Sequence, residues 1–382
     1  MNYTIGELAE IIDGDRGKNY PQQEDFFDEG YCIFLNTGNV RKDGFDFSSI
    51  QCITEEKCNI LRKGKLKRGD IVYTTRGTVG NAAYYGDNVP FEHIRINSGM
   101  VILRSNTQIV IEEYLYQILK SEFYRPYFKQ YCTGSAQPQL PIKNFSKIEL
   151  DIPNIDMQRR IANILSTYDS LIENNQKQIK LLEEAAQRLY KEWFVNLRFP
   201  GYENVAVVDG VPEGWHRGLL KELINVNYGK DHKKAPDDGN IPVYGSGGLM
   251  RKCNKFLFKG EAVLIPRKGS LNHIMYVNEE FWTVDTMFYA TMKREHAALF
   301  VYSFISGFDM YSMNIGAAVP SMTVKILDAM DVVIPSGDLF KEFDNVAQAF
   351  FQRIAVLRKQ NEELGQARDR LLPKLMCGKL EV

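Results

Sequence analysis

Short runs of β-branched and aromatic residues alternate with glycine and asparagine between about residues 31 and 104. Residues 71–75 (IVYTT) and 100–103 (MVIL) are two such runs. The pattern is typical of short strands joined by turns, because β-branched side chains pack well on a pleated sheet and glycine permits tight turns. Residues 262–265 (AVLI) predict a similar strand in the second half. The chain is therefore predicted to contain two mixed α and β regions.

Helical patterns flank these strands. Thr4-x-x-Glu7 is a capping-box sequence and predicts a short amphipathic helix that ends near Gly14. Residues 111–131 place apolar side chains on one stripe and predict a second helix. Residues 297–305 predict its counterpart in the second half of the chain.

Residues 154–199 form the longest helical pattern, since these 46 positions contain neither glycine nor proline. A helix of ~40 residues is ~60 Å long, which is more than a compact domain requires. A further capping sequence, Ser170-x-x-Glu173, follows Asp169. We therefore expect a short helix that ends at Asp169 and a long helix after it.

This segment shows a heptad pattern that has a counterpart near the C-terminus. The apolar rows are Ile172, Ile179, Ala186 and Trp193 with Leu182 and Leu189, and in the second copy Phe350, Leu357, Leu364 and Leu371 with Ile354 and Leu375. Heptads over this length are typical of two long helices that pack on each other within the chain. The core stripe of an ordinary helical bundle is the alternative interpretation.

An internal repeat organises the chain. Residues 134–140 (GSAQPQL) recur as residues 316–322 (GAAVPSM), and the same offset of 182 continues without a gap into the last long helix. Upstream, the offset grows to 191 for residues 69–76, which aligns Arg76 with Arg267, and to 215 for residues near Leu8. The two halves are therefore predicted to be related modules that differ in their loops.

Composition narrows the possible functions. The 382 residues include 47 basic and 48 acidic side chains, for a net charge of -1. This balance argues against a protein that coats nucleic acid indiscriminately, although basic faces can still form within each half. The six cysteines are scattered, so we expect reduced thiols rather than disulfides or zinc ligands. Without a long apolar run or a basic N-terminal region, we expect a cytoplasmic protein with no membrane partner.

The sequence contains no recognisable catalytic motif, so we expect no active site, no metal site and no cofactor. The glycine-rich residues 244–248 (YGSGG) lack a lysine and a following helix, and are predicted to be a surface loop. Residues 55–57 (EEK) contain the Glu-x-Lys of metal-dependent nucleases but lie on no apolar strand. Basic residues cluster at 62–68 and 251–268, beside tyrosine, asparagine and serine. Such clusters in both halves favour contacts with phosphates and base edges.

Four segments carry a resemblance to a known family. They are residues 152–165 (IPNIDMQRRIANIL), 181–194 (LLEEAAQRLYKEWF), 198–201 (RFPG) and 211–215 (VPEGW). With the repeat, and with residues 69–80, they resemble the specificity subunits of type I restriction-modification systems over essentially the whole chain. Two departures stand out: Met157 is found where the family usually has an acidic residue, and Phe340 replaces Gln158 in the second copy.

The resemblance implies an α+β fold with two mixed α/β target-recognition domains, separated by two long antiparallel coiled-coil helices in a pseudo-two-fold repeat. The implied boundaries are 1–152 for the first recognition domain, 153–209 for the first spacer helix and linker, 210–335 for the second recognition domain and 336–382 for the second spacer helix. It implies no catalytic activity for the chain alone. The implied partners are double-stranded DNA, two methyltransferase subunits and, through the complex, restriction/translocase subunits. Each domain would read half of a bipartite, asymmetric sequence, and the helices would set the unread gap.

Loop residues next to matching strands are the predicted DNA contacts. They are Arg76, Thr78 and Asn81 in the first half, Arg267, Lys268, Ser270 and Asn272 in the second half, and Ser135, Gln137 and Gln139 ahead of the shared strand. Their side chains can bond phosphates and base edges. Turn formation is the alternative role for the last three, because Pro138 lies among them.

The alternative function is a coiled-coil protein adaptor with two protein-binding lobes and no DNA activity. Salt distinguishes the two, because a DNA-binding protein loses affinity steeply as salt rises and an adaptor should not bind duplex at all. A nuclease or methyltransferase acting alone would need a metal or nucleotide site, for which the sequence shows no motif.

Overall fold

The computed structural model describes residues 1–134, 137–313 and 321–376. The chain divides into two compact units, the first made of Met1–Asn174 with Gln360–Val382 and the second of Asn175–Lys359. Two long helices contribute residues to both units. Ser135, one of the predicted DNA contacts, lies outside the described residues.

The first unit is a mixed α/β domain. Its strands are β1 (Asn2–Thr4), β2 (Ala9–Asp13), β3 (Cys32–Leu35), β4 (Val40–Arg41), β5 (Gly44–Phe45), β6 (Cys52–Ile53), β7 (Ile71–Thr74), β8 (Ala82–Tyr84), β9 (Ile94–Ile96), β10 (Met100–Ser105) and β11 (Glu149–Asp151). Its helices are α1 (Ile5–Leu8), α2 (Glu55–Ile60), α3 (Glu112–Lys120), α4 (Arg125–Lys129), α5 (Ile142–Phe145) and the first part of α6 (Ile155–Tyr190). Its central sheet is antiparallel, in the order β2-β10-β7-β8. A second sheet has the order β6-β3-β9.

The first predicted helix is shorter than expected. The capping box is present, since Thr4 and Glu7 bond each other's backbone amides. The prediction that the helix ends near Gly14 is wrong, because α1 ends at Leu8 and Ala9–Asp13 forms strand β2. Antiparallel pairing with the buried strand β10 along all five residues outweighs one more helical turn.

The single helix predicted over 111–131 is two helices, α3 and α4. Pro126 lies in the first turn of α4, where its missing amide hydrogen costs nothing. In the interior of a continuous helix the same proline would remove a hydrogen bond and clash with the preceding turn. Proline therefore divides the apolar stripe between two helices.

The predicted break at Asp169 is also wrong, because α6 is continuous over Ile155–Tyr190. The Asp169 carboxylate does not cap a helix. It accepts hydrogen bonds from Gln117 (2.6 Å) and Lys120 of α3 and from Arg368 (2.8 Å) of the last helix. A capping sequence inside a long helical run thus serves a tertiary contact instead.

The second unit repeats the plan of the first. Its strands are β12 (Val207–Val208), β13 (Val211–Pro212), β14 (His216–Leu219), β15 (Ile224–Tyr228), β16 (Ile241–Gly245), β17 (Gly248–Cys253), β18 (Phe258–Pro266), β19 (Met275–Thr283), β20 (Met287–Met292) and β21 (Asp331–Ile334). Its helices are α7 (Ala298–Ser306), α8 (Val324–Asp328) and α9 (Gly337–Met376), and it shares α9 with the first unit. A single π-helical turn (Lys191–Val195) follows α6. The main sheet has the order β15-β20-β18-β19-β16-β17. The strand and helix predicted for this half are confirmed as β18 and α7.

The long helices run antiparallel within the second unit. Glu183 of α6 pairs with Arg358 of α9 at 2.9 Å, whereas Tyr190, farther along α6, packs against Phe343, farther back on α9. Trp193, from the predicted heptad rows, is buried and also contacts Phe343. Several residues of the predicted rows belong to or pack against one hydrophobic cluster of the second unit: Ile179, Leu182, Ala186, Leu189, Trp193, Phe350 and Ile354.

Strand pairing confirms two of the three repeat offsets. Tyr3 pairs with Leu150 in the first unit, and Gly218 pairs with Val332 in the second. These pairs are related by offsets of 215 (218 minus 3) and 182 (332 minus 150). In each unit, a strand at the start of the mixed α/β region thus pairs with the strand that precedes a long helix.

The middle offset is 192 rather than 191. Val101 of β10 lies opposite Tyr73 in the first unit, and Phe288 of β20 lies opposite Ile265 in the second. The step from residue 73 to residue 265 is 192. Arg76 therefore corresponds to Lys268, and the predicted match of Arg76 with Arg267 is one residue out of register.

The first helix turns of α6 and α9 are anchored in different ways. Gln158 is fully buried; its carbonyl accepts from the Ile111 amide at 2.9 Å, and its Nε2 donates to the carbonyls of Ile109 and Pro153. In the second unit Phe340 occupies the equivalent position and packs edge-on against an aromatic ring of α7. The same helix start is thus held by a satisfied polar network in one unit and by apolar packing in the other.

Ionised groups meet in the interior of the first unit. Lys120, with an 8% exposed side chain, pairs with Asp169, and Asp169 also pairs with Arg368. Burial lowers the pKa of Lys120 to about 8, although Asp169 acts in the opposite direction. Burial raises the pKa of Asp169, but Lys120 and its other donors outweigh this and hold that pKa below its ordinary value. The carboxylate is therefore the counter-ion that makes a buried lysine tolerable.

The pKa of Lys120 also fixes the sign of its pH dependence. The unfolded chain binds more protons at this residue than the folded chain does between the folded pKa of about 8 and the ordinary value of 10.5. The free energy of unfolding therefore rises with pH across this window as far as Lys120 is concerned. Asp169 contributes stability that is lost in acid, as pH falls through its lowered pKa.

Asp169→Asn is predicted to lower the free energy of unfolding by about 2–4 kcal/mol at neutral pH, because it leaves Lys120 buried without a counter-ion. The loss should shrink at about pH 9, above the Lys120 pKa of about 8, because Lys120 is then neutral in the folded wild-type chain as well and no longer needs a counter-ion. Urea denaturation at both pH values measures this. Asp369→Asn is the matched control, since its more exposed carboxylate also pairs with Arg368; equal losses in the two variants would contradict the prediction.

Candidate nucleic-acid interface

The loop that follows β7, residues 75–81, is called loop A. Backbone hydrogen bonds fix the start of the loop, since the amides of Thr75 and Arg76 both donate to the carbonyl of Gly99, at 2.9 and 3.1 Å. Gly77 has a positive φ of 71°, which glycine adopts without strain. The side chains of Arg76 and Thr78 are exposed. Loop A therefore presents a basic and a hydroxyl side chain on a fixed backbone.

The equivalent loop after β18, residues 267–273, is called loop B. The amides of Arg267 and Lys268 both donate to the carbonyl of Thr286, at 2.8 and 3.2 Å. Gly269 has a positive φ of 85°, and Lys268 and Ser270 are exposed. The two loops thus share a basic–glycine–hydroxyl sequence, held by the same hydrogen bonds in each unit.

Arg267 has a different environment from its neighbour. It is only partly exposed, and its guanidinium lies 5.7 Å from the centre of the Tyr228 ring. Its equivalent in loop A is Thr75, which is buried. Arg267 is therefore an additional cation that the first unit does not have at this position.

The segment ahead of the shared strand lies against these loops. In the first unit the Leu140 amide donates to the Thr75 carbonyl at 2.9 Å, and Gln139 pairs with Thr133 across the turn. Gln137 and Gln139 are exposed. In the second unit Met322 donates in the same way to the first residue of loop B, at 2.9 Å. The structure thus brings together the two segments that the sequence singled out in each half.

Two of the predicted contact residues use their side chains within the protein. The Asn81 amide group donates to the carbonyl of Val40 at 2.9 Å. Asn272 donates to Asp309 at 3.0 Å and accepts from the amide of Met310 at 2.7 Å. Both asparagines lie in the loops as predicted, but their amides stabilise the loops.

A surface cleft of about 620 Å³ lies beside loop A. Residues 77–79 and Asn81 form one wall, and Arg125 and Lys129 of α4 contribute to the other. Sequence reasoning missed these two cations. The available signal was their spacing of four residues, which places both on one face of a helix.

A glycine-rich hairpin lies beside loop B. Residues 244–248 were predicted to be a surface loop, but Tyr244 and Gly245 end β16 and Gly248 begins β17, so only Ser246 and Gly247 form the turn. The carbonyl of Ser246 lies 3.0 Å from Nδ1 of His273, and a Cβ on Gly269 would lie 2.5 Å from Oγ of Ser246. The hairpin therefore packs closely on loop B, and the positive φ of Gly269 favours glycine at this contact.

In the part of the chain that the structure describes, no three histidine, cysteine, aspartate or glutamate side chains are grouped so that they could hold a metal ion. The described cysteines, Cys32, Cys52, Cys58, Cys132 and Cys253, are free thiols. No helix among these residues has the length and apolar character needed to cross a bilayer.

Both halves of the chain are similar to one family of known proteins. The family model described as the type I restriction modification DNA specificity domain matches residues 1–184 and 212–364. The type I restriction enzyme HindI specificity subunit of Haemophilus influenzae is 28% identical and is aligned over 98% of this chain and 100% of its own length. The MjaIX specificity subunit of Methanocaldococcus jannaschii is 24% identical over 86% of this chain and 82% of its own.

A solved structure shares the fold. The type I restriction-modification system S subunit from M. genitalium superposes with a TM-score of 0.53 and 18% sequence identity, over 98% of this chain and 95% of that one. The family model matches one segment in each half of the chain, in agreement with the internal repeat. The chain therefore belongs to the family of type I restriction-modification specificity subunits, which are non-catalytic subunits of these systems.

Proposed function

We propose that this chain binds double-stranded DNA sequence-specifically, and that each unit reads one half of a bipartite, asymmetric target. The observation that carries the proposal is the shared basic–glycine–hydroxyl sequence, residues 76–78 in loop A and 268–270 in loop B, on equivalent backbone hydrogen bonds. Two sites of the same construction suit two half-sites on one duplex.

The chemistry of the loops suits both parts of a duplex. Arg76 and Lys268 supply charge for phosphates, and Thr78 and Ser270 can donate to or accept from phosphates and base edges. The positive-φ glycines keep the backbone open to close approach. The surroundings differ, with the glycine-rich hairpin beside loop B and the cationic cleft beside loop A. Different surroundings for the same motif would give the two halves different sequences.

The long helices are the proposed docking surfaces for two methyltransferase subunits and, through the complex, restriction/translocase subunits. Several apolar residues of α6 and α9 are exposed: Leu171 at 46%, Leu181 at 64%, Val346 at 43% and Val356 at 47%. Exposed apolar side chains on the outer faces of packed helices are typical of surfaces that bind protein partners.

Methylation mapping tests the proposal at the level of the DNA sequence. In cells that contain this chain with its methyltransferase subunits, the methylated motif is expected to be two short blocks separated by unread bases, because each unit reads only one block. Long-read detection of methylated adenine measures this, and a strain without the chain is the control. One continuous methylated motif would contradict the two-site proposal.

Arg76→Gln and Lys268→Gln should each weaken binding of the full-length chain to duplex DNA and lower the slope of log affinity against log salt by about 1, because each removes one phosphate contact. Fluorescence anisotropy with labelled duplex measures both quantities. Lys221→Gln is the matched control, since it replaces an exposed lysine of the second unit outside loop B. Duplex binding that is absent or independent of salt in the wild-type chain would favour the protein adaptor instead.

A further inference from the structure

Loop A contains a row of unused backbone donors. Among the described residues, the amides of Gly77, Thr78 and Val79 make no hydrogen bond. All three residues line the cleft beside loop A. Consecutive free amides next to a left-handed residue form a concave surface with partial positive charge, which binds anions.

Loop B shows what fills the equivalent position in the second unit. The amide of Leu271, which corresponds to Val79 at the offset of 192, donates to the hydroxyl of Tyr311 at 3.2 Å. The same hydroxyl donates to the carbonyl of Gly269 at 2.9 Å. A neutral oxygen of the chain itself therefore satisfies the amide that loop A leaves free.

The repeat places a lysine where this tyrosine would be in the first unit. Extended five residues upstream of the block at 134–140, the offset of 182 aligns Tyr311 with Lys129 and the buried Met310 with the buried Phe128. Lys129 lines the cleft beside loop A. The exchange removes an oxygen acceptor from the first unit and puts a cation in its place.

The charges around the cleft favour an anion. Lys129 is exposed, and its ammonium group makes no hydrogen bond or ion pair within the described ranges. The buried Nε of Arg125 lies 3.5 Å from a carboxylate oxygen of Glu122, an ion-pair distance, but makes no hydrogen bond in the described part of the chain. None of the described residues that line the cleft is acidic or aromatic. An extruded base would need a stacking surface, so a phosphate is the better fit.

We propose that this cleft binds a backbone phosphate of DNA between the Val79 amide and the Lys129 ammonium, whereas Tyr311 closes the equivalent position of the second unit. The inference rests on the proposed DNA-binding function and adds a contact that only the first unit makes. Because the ligand is a phosphate, the contact contributes to affinity for any duplex sequence. Arg125 adds positive charge to the same wall.

Binding of a labelled duplex of mixed sequence to the full-length chain tests the proposal, with anisotropy measured from about 50 to 200 mM salt. Lys129→Gln should lower the slope of log affinity against log salt by about 1, so that the wild-type chain loses roughly three- to four-fold more affinity than the variant across this range. Lys129→Arg should retain the wild-type slope. Lys147→Gln is the matched control, since Lys147 is exposed in the same unit but does not line the cleft.

Cys132 gives a second measurement that leaves Lys129 intact. Its half-buried thiol lines the cleft, whereas Cys32, Cys52, Cys58 and Cys253 are buried. In a Cys377→Ser background, which removes a thiol outside the described residues, the duplex should slow the reaction of Cys132 with N-ethylmaleimide. High salt should abolish this protection as the DNA dissociates.

The outcomes separate this inference from the proposed function. If the wild-type chain does not bind duplex DNA, the proposed function fails and the cleft proposal fails with it. If the wild-type chain binds with a steep salt dependence, but Lys129→Gln keeps the wild-type slope and DNA leaves Cys132 unprotected, only the cleft assignment is overturned. Thermal melting of each variant confirms that a changed slope does not come from unfolding.

Discussion

One backbone carbonyl in each unit, that of Gly99 or Thr286, accepts two amide hydrogen bonds and thereby fixes where loops A and B begin. Each carbonyl belongs to the residue just before the central strand, β10 or β20. The register of that strand with its neighbours therefore determines the position of the loop. Since these bonds use only backbone atoms, the exposed side chains of the loops, such as those of Arg76 and Lys268, can change without loss of the bonds, whereas Asn81 and Asn272 stabilise the loops through their side chains. This separation of scaffold from side chains is what a protein needs if it is to change the sequence it reads while keeping its fold.

The sequence was sufficient for features that depend on local pattern or on the repeat. Strand runs, the long helices, the capping box at Thr4 and the offsets of 215 and 182 all follow from residue spacing. It was insufficient where tertiary pairing decides between local alternatives, as at Ala9–Asp13 and at Asp169. The one-residue error in the middle offset has a related cause. The sequence comparison matched two arginines, Arg76 and Arg267. The structure instead matches Gly77 with Gly269, which both have a positive φ, and the carbonyl in each unit that accepts two amide hydrogen bonds, and these are backbone features.

The candidate site was predictable in position but not in composition. Strand ends in both halves indicated loops A and B, and the structure places the segment before the shared strand beside them. The orientation of Asn81 and Asn272 could not be predicted, because their partners are distant in sequence. Lys129 was missed for a similar reason. It is an ordinary exposed lysine until the fold places it across a cleft from the amides of loop A.

Under the proposed function, the difference between the two units affects how a nearly neutral chain binds its DNA target without binding every other sequence equally well. Each phosphate contact raises affinity for every sequence alike and so contributes nothing to the choice between sequences. A chain with net charge -1 has no excess of basic residues for such contacts. By bonding its own Leu271 amide to Tyr311, the second unit makes that amide unavailable to a phosphate. Under the proposed function, its affinity then depends more on the side chains of loop B, while the first unit supplies the sequence-independent anchor. Such a division lets a wrong half-site in the second unit be released without loss of the first contact.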